Sequence, residues 1–206
     1  MIDYKPDPKR TALIVYDMIN DFLKPGAPFE SVRAREMLLP RLKPLIAACR
    51  RKGLRIIFAN QHYHAEGIGD GIKLRDHGNG CIAGTPGVET YTEIGARPDD
   101  IVIKKRRYDA FLGTDLDLIL RQQNIDTLII LGTSTSIGTQ TTARCAVTRD
   151  YHVIFPSDGT ANRDLPDAGW GVVTMDELLR VVLTELAQFC RVCPVEQLIR
   201  EIDAYP

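Results

Sequence analysis

Short, nearly continuous apolar runs recur along the chain and alternate with stretches in which apolar residues have helical spacing. Such runs are typical of strands that are buried on both faces of a sheet. The predicted strands are residues 11–17, 54–60, 100–105, 126–132 and 151–158, with a short strand at 191–193. The predicted helices are residues 34–52, 114–124, 137–149, 174–189 and 194–202.

This alternation predicts the fold class. Parallel strands need crossover connections, and helices in those crossovers cover both faces of the sheet. We therefore predict an α/β fold, a doubly wound and mainly parallel β-sheet with helices on both faces, as in Rossmann-like three-layer sandwiches. Two helix starts carry the spacing of a capping pair, Thr174 with Glu177 and Thr114 with Asp117.

Length and charge limit the classes of protein and partner. The 206 residues are enough to bury one core, and a single domain, residues 1–206, is predicted. The formal net charge of −1 provides no electrostatic footprint for nucleic acid or an acidic membrane, so the expected partner is a small-molecule substrate. The polar first ten residues and five cysteines, an odd number, favour reduced thiols and a cytoplasmic location.

Polar residues follow three of the predicted strands, where ligands bind in sheets of this type. Asp17 ends the first strand and is either a general acid or base with a raised pKa or an N-cap for the next helix. Lys104 and Lys105 end the third strand. A buried lysine there needs a counter-charge, which Asp17 would provide, and the alternative is a surface basic cluster.

The third polar stretch, residues 132–138, connects the fourth strand to a helix. Small hydroxylated residues before a helix leave backbone N–H groups free for an anion or oxyanion. The alternative is ordinary capping by Ser134, Thr135 or Ser136. The long polar loop at residues 61–100 is expected to be functional, because structureless loops of this length are uncommon in compact domains.

Five stretches occur in an order that resembles the isochorismatase-like hydrolases, also called cysteine hydrolases. They are "ALIVYDMINDF" (12–22), "GTPGVE" (84–89), "IKKRRYDAF" (103–111), "GTSTSIGTQTTARCA" (132–146) and "VIFPSDGTA" (153–161). The resemblance covers nearly the whole chain. It implies a hydrolase of small molecules, a homo-oligomer, and a cis peptide bond near Thr133–Ser134.

The resemblance also assigns residues. The family's catalytic aspartate falls on Asp17, and its lysine, which precedes an x-Arg-Tyr-x-x-Phe pattern, falls on Lys105. The nucleophile position falls on Gly138, so the thiol of the amidases is missing here, and Cys145, two helical turns further on, is expected to be a packing residue. The expected substrate contacts are Gln61, Arg107, Tyr108, Thr133, Ser134 and Thr135.

Glycine at this position also resembles the isochorismatase branch, which hydrolyses a vinyl ether without a nucleophilic side chain. In that interpretation Asp17 supplies the proton, Lys105 orients it, and Gly138 leaves room for the substrate ring or water. Two alternatives stay open. One is an amidase or carbamoyl hydrolase whose cysteine has been lost or replaced, and the other is a binding protein without catalysis.

Nicotinamidases of this family hold a metal ion, so the histidines of the long loop are candidate metal ligands. These histidines are His62, His64 and His77. The position of the metal-binding aspartate is occupied by Asn60 or Gln61, so the ligand set is incomplete. We predict no metal and no cofactor.

Overall fold

A computed structural model describes residues 2–67 and 80–206. Within these residues, seven parallel strands form one sheet. They are β1 (Thr11–Tyr16), β2 (Arg55–Gln61), β3 (Ile101–Lys105), β4 (Thr127–Thr133), β5 (His152–Pro156), β6 (Thr160–Ala161) and β7 (Arg191–Cys193). The order is β3-β2-β1-β4-β5-β7, and β6 pairs with β4. The chain therefore winds in opposite directions from the centre, with its switch point between β1 and β4.

Helices cover both faces of this sheet, as predicted for a doubly wound α/β sandwich. They are α1 (Asn20–Leu23), α2 (Val32–Arg51), α3 (Leu116–Gln122), α4 (Gln140–Val147), α5 (Met175–Leu186) and α6 (Val195–Ala204). One buried cluster joins α2 and α6 to one face, for example through Leu42 and Leu198. A second joins α3, α4 and α5 to the other, through Leu116, Ala143 and Val182.

Strand β1 shows how the sequence builds these two cores. All six of its residues are buried, and successive side chains point to opposite faces because a strand has a period of two. Leu13 and Val15 belong to the core under α2 and α6. Ala12, Ile14 and Tyr16 belong to the core under α3, α4 and α5. Tyr16 therefore faces the side on which the polar turn after β4 leads into α4.

The structure differs from the predicted elements at their ends. The capping box of Thr174 and Glu177 is confirmed, with both reciprocal hydrogen bonds present. The prediction that Thr114 and Asp117 form a capping pair is wrong. The N-cap of α3 is Asp115, and Asp117 binds Arg121 and Tyr151 instead. Among the described residues, α1 and β6 were not predicted. No described helix is both long and apolar enough to span a bilayer.

Candidate active site

A buried ion pair lies at the carboxyl ends of β1 and β3. Lys105 Nζ donates to Asp17 Oδ2 at 2.8 Å and to Gln61 Oε1 at 2.6 Å. The backbone N–H of Gln61 donates to Asp17 Oδ1 at 2.7 Å. Gln61 is on β2, which lies between β1 and β3. Each of these three strands therefore contributes one side chain to the site at its carboxyl end. The expectation that Asp17 supplies the counter-charge for a buried lysine is confirmed.

The structure decides between the alternatives for these residues. Asp17 is not an N-cap, because the residue at that position of α1 is Ile19. Asp17 instead has φ +49°, in the left-handed region where aspartate is one of the more tolerant residues. Lys105 is buried and Lys104 is exposed, so the register implied by the resemblance identifies the buried lysine. The catalytic roles of Asp17 and Lys105 stay predictions.

Burial shifts the pKa of both members of the pair. Desolvation raises the pKa of the Asp17 carboxyl above its ordinary 3.8, although the Lys105 charge and hydrogen bond act to lower it. Desolvation also lowers the pKa of the Lys105 ammonium below its ordinary 10.5, against the opposing effect of Asp17. Both shifts favour a neutral pair, which makes a proton on Asp17 easier to hold than in water.

The turn between β4 and α4 carries the cis peptide bond that the resemblance implied, Thr133–Ser134. Residues Thr135–Thr139 form a short π-helical turn before α4. Ser134 occupies the N-cap position but makes no side-chain cap bond. Ser136 Oγ instead accepts from Asn162 Nδ2 at 2.8 Å.

A cavity of about 430 Å³ opens beside this turn. Thr133, Ser134 and Ile137 of this turn line it. Aromatic residues and a thiol also line it, namely Phe22, Phe29, Tyr63 and Cys81. Arg33 and Arg163 contribute positive charge, and Arg33 is paired with Asp164 and Asp176. The cavity therefore offers an apolar wall with a few polar groups, which is the usual character of small-ligand sites.

Neither Asp17 nor Lys105 is among the residues that line this cavity, and Cys81 connects the cavity to the ion pair. Cys81 lines the cavity and is close enough to Asp17 and Lys105 for their charges to act on its thiol. The Lys105 side chain is fully buried, whereas 9% of the Asp17 side chain remains exposed. Asp17 is therefore the more exposed member of the pair.

The expected substrate contacts divide into two groups. Thr133 and Ser134 line the cavity, whereas Gln61, Arg107, Tyr108 and Thr135 are not among its lining residues. Gln61 is buried and binds the ion pair. The Tyr108 carbonyl accepts from Tyr16 Oη, and the Thr135 hydroxyl is buried without a hydrogen-bond partner in the described structure. Substrate contact by these residues stays a prediction.

The expectation that Gly138 leaves room for a substrate ring or water stays a prediction, but the volume that a side chain at this position would need is already occupied. A Cβ atom at Gly138 would lie 2.1 Å from Cε1 and 2.5 Å from Cζ of Tyr16. The Tyr16 ring already fills the space next to this glycine. This contact could not be read from the sequence, because strand alternation indicates only the face of β1 on which Tyr16 lies.

Cys81 is a second residue that sequence reasoning missed. It is almost fully buried, has φ +57°, and its N–H donates to the Asp21 carboxylate at 2.5 Å. Burial, together with the charges of Asp17 and Asp21, raises the pKa of its thiol. Cys81 is therefore a protonated thiol at neutral pH, not a thiolate. Cys145 packs against the core under α4, as expected.

Two of the three loop histidines can be located. His62 is half-buried, and burial together with the charges of Lys104 and Lys105 lowers its pKa to about 4. His64 is exposed, and His77 lies outside the described residues. Among residues 2–67 and 80–206, no group of three or more His, Cys, Asp or Glu side chains is arranged to hold a metal ion.

Comparisons with known proteins extend these observations. The family described as isochorismatase domain matches residues 11–186. The uncharacterized isochorismatase family protein YwoC of Bacillus subtilis is 30% identical over 74% of this chain and 78% of its own. An N-carbamoylsarcosine amidase from Arthrobacter sp. is 25% identical over 96% and 73%. The crystal structure of a cysteine hydrolase from Pseudomonas syringae pv. phaseolicola is 31% identical, covers 98% of this chain and 97% of its own, and has a TM-score of 0.92.

The family match spans most of the chain, including the three strands that carry the ion pair, and the structural match covers 98% of the chain. Together with the buried aspartate–lysine couple at a switch point, they identify the protein: the chain belongs to the isochorismatase family and is a hydrolase.

Proposed function

We propose that this hydrolase cleaves a vinyl ether of a small molecule by acid catalysis, without a covalent enzyme intermediate. The observation that carries this proposal is the Asp17–Lys105 pair, in which burial raises the pKa of the Asp17 carboxyl while position 138 has no side chain. A thioester route needs a thiolate at the turn after β4, and Gly138 provides none.

The chemistry needs one acid. Asp17 transfers its proton to the terminal carbon of the vinyl ether, whose π electrons form the new C–H bond and leave an oxocarbenium ion. Water adds to this ion and gives a proton back to the Asp17 carboxylate. The resulting hemiketal then expels the alcohol and leaves a carbonyl compound. Lys105 and Gln61 hold the carboxyl group in place throughout, through the three hydrogen bonds described above.

The cavity supports a small polar substrate. Arg163 lines it, is exposed, and forms no ion pair within the described part of the chain. A guanidinium in this situation suits a substrate carboxylate, which it binds through two parallel hydrogen bonds. The aromatic side chains opposite suit an unsaturated ring.

The test is turnover of isochorismate, followed by the loss of its absorbance. Asp17→Asn keeps the shape of the side chain and removes the acid, so the rate should fall about 10²–10⁴-fold. Asp115→Asn, which changes an exposed carboxylate at the N-cap of α3 in the same way, is the matched control and should keep the wild-type rate. Equal rates for wild type and Asp17→Asn would contradict the proposal.

The relative named N-carbamoylsarcosine amidase favours a second candidate, a carbamoyl or amide hydrolase whose cysteine has been lost. Hydrolysis of N-carbamoyl or ureido acids by the wild-type protein, measured as ammonia release, would support it over vinyl-ether hydrolysis. Ligand binding without turnover in either assay would indicate a binding protein.

A further inference from the structure

Position 138 cannot accept a side chain while Tyr16 keeps its place. A Cβ there would lie 2.1 Å from Tyr16 Cε1 and 2.6 Å from its hydroxyl, whereas real Cβ contacts are essentially never shorter than 3.0 Å. Gly138 does not have a positive φ, so its backbone conformation is open to other residues. The restriction therefore comes from the Tyr16 ring and not from the backbone.

Several contacts hold that ring in place. Tyr16 is fully buried on β1, where it pairs with Ala59 of β2 and Gly132 of β4. Its hydroxyl donates to the Tyr108 carbonyl, which also accepts from Thr142 Oγ1 of α4 at 3.2 Å. The ring thus links β1 to the segment after β3 and to the helix that follows Gly138. Moving it would break the partly buried hydrogen bond to the Tyr108 carbonyl.

The same ring contacts the ion pair. Lys105 Nζ lies 4.2 Å from the centroid of Tyr16, within the range of a cation–π interaction. The ammonium is therefore surrounded by the Asp17 carboxylate, the Gln61 amide oxygen and the face of the Tyr16 ring. The Tyr16 ring thus occupies the volume that the side chain of a nucleophile at position 138 would need, and it also faces Lys105.

We propose that Tyr16 is a positioning residue that commits this site to chemistry without a nucleophile at position 138, because its ring fills that volume and holds the Lys105 ammonium against Asp17. The chain is then not an amidase that lacks only its thiol: positions 16 and 138 exclude each other sterically and must change together. This deepens the proposed function, although the steric part stands without it.

The steric part is tested by returning the thiol with and without the ring. The variants are Gly138→Cys and Tyr16→Val/Gly138→Cys, both in a Cys145→Ser background. This background is needed because Cys145 is partly exposed, whereas the other four cysteines are buried. Readouts are thermal unfolding and the rate at which iodoacetamide alkylates position 138, located by mass spectrometry. Neither readout depends on turnover, so failure of the proposed function would not be confused with failure here.

We expect Gly138→Cys to melt below its parent. The fall in melting temperature of Tyr16→Val/Gly138→Cys should be smaller than the sum of the falls of Gly138→Cys and of Tyr16→Val, which is measured in the same background. The introduced thiol should react at least tenfold faster once Tyr16 is replaced, because it then faces the space beside the ion pair. Tyr16→Phe/Gly138→Cys is the matched control and should behave like Gly138→Cys, since phenylalanine keeps the ring. A single Gly138→Cys variant with an unchanged melting temperature and equal alkylation rates would overturn the proposal.

The positioning part has its own readout, the titration of Lys105 followed by NMR of ¹³C-labelled lysine side chains. Tyr16→Phe keeps the aromatic face and should leave the Lys105 titration in place. Tyr16→Leu removes the face and should shift the titration to lower pH, because the ammonium loses a stabilising contact. Identical Lys105 titrations in wild type and Tyr16→Leu would show that the ring only fills space, and would overturn this part.

Discussion

Lys105 Nζ on β3 reaches Asp17 Oδ2 at the end of β1 across the intervening strand β2, at a distance of 2.8 Å. The span is possible because the carboxyl ends of parallel strands lie at one edge of the sheet, and because Gln61 of β2 binds both partners instead of separating them. The pair is thus a product of strand order. It lies beside the switch point between β1 and β4, where ligands of doubly wound sheets bind.

A first prediction concerns the coupling of this pair. Lys105→Met removes the counter-charge of a buried carboxylate and should lower the free energy of unfolding by about 3 kcal/mol. Asp17→Asn should also destabilise, because it leaves a buried ammonium. In the double variant Asp17→Asn/Lys105→Met neither charge is left without its partner. Its loss of unfolding free energy should therefore be clearly smaller than the sum of the losses in the two single variants. Urea unfolding at pH 7 provides all four values, and simple additivity would contradict the pairing.

How far the sequence predicts this site depends on the distance between the residues involved. The apolar runs before Asp17 and Lys105 place both at strand ends, and a parallel sheet brings those ends together. The choice of Lys105 over Lys104 needed the family register, although a strand's alternation allows one of the two to be buried. Elements as short as α1 and β6 leave no periodic signal, and were not predicted.

The contact between Tyr16 and Gly138 could not be predicted from the sequence, for a physical reason. The two residues are far apart in the chain, and their contact depends on the face of β1 and on the path of the turn after β4. The same holds for the Asp21 carboxylate, which accepts from the Cys81 N–H 60 residues away. A pattern of hydrophobic positions determines layers and strand ends, but not which side chain fills a particular volume between them.

A second prediction concerns stability against pH. Burial raises the folded-state pKa of Asp17 above 3.8. Between 3.8 and the raised pKa, the folded protein keeps a proton that the unfolded chain has released. The free energy of unfolding should therefore fall as pH rises through this interval. The folded-state pKa of Lys105 is lowered below 10.5, so stability should rise again between that lowered pKa and 10.5. The measurement is the difference in unfolding free energy between wild type and Asp17→Asn/Lys105→Met across this range. A flat difference would contradict both shifts.

A third prediction concerns His62. Burial and the neighbouring charges of Lys104 and Lys105 lower its pKa to about 4, so the imidazole should be neutral at pH 7. Because the unfolded histidine titrates near 6.5, the associated stability is present above pH 6.5 and lost as pH falls towards 4. NMR titration of the imidazole protons gives the value directly. Lys104→Gln should raise it, since one repelling charge is removed, and a wild-type value at 6.5 would contradict the described environment.

A fourth prediction concerns the thiols. Cys81 lines the cavity beside Asp17, but burial and the nearby carboxylates raise the pKa of its thiol, and only about 1% of the residue is exposed. Native protein treated with iodoacetamide at pH 7 should therefore be modified first at Cys145, which is partly exposed, and Cys81 should react only after denaturation.

The same experiment tests whether hydrolysis is free of sulfur chemistry. A Cys145→Ser protein treated in this way should keep all four remaining thiols unmodified, as intact-mass spectrometry can show, and should keep its turnover of the identified substrate. Denatured protein, in which the four thiols all react, is the control for the reagent. Stoichiometric modification of Cys81 in the folded state, with loss of turnover in proportion, would mean that a thiol from the 80–88 segment has taken over the role that Gly138 cannot perform, and the acid mechanism at Asp17 would have to be abandoned.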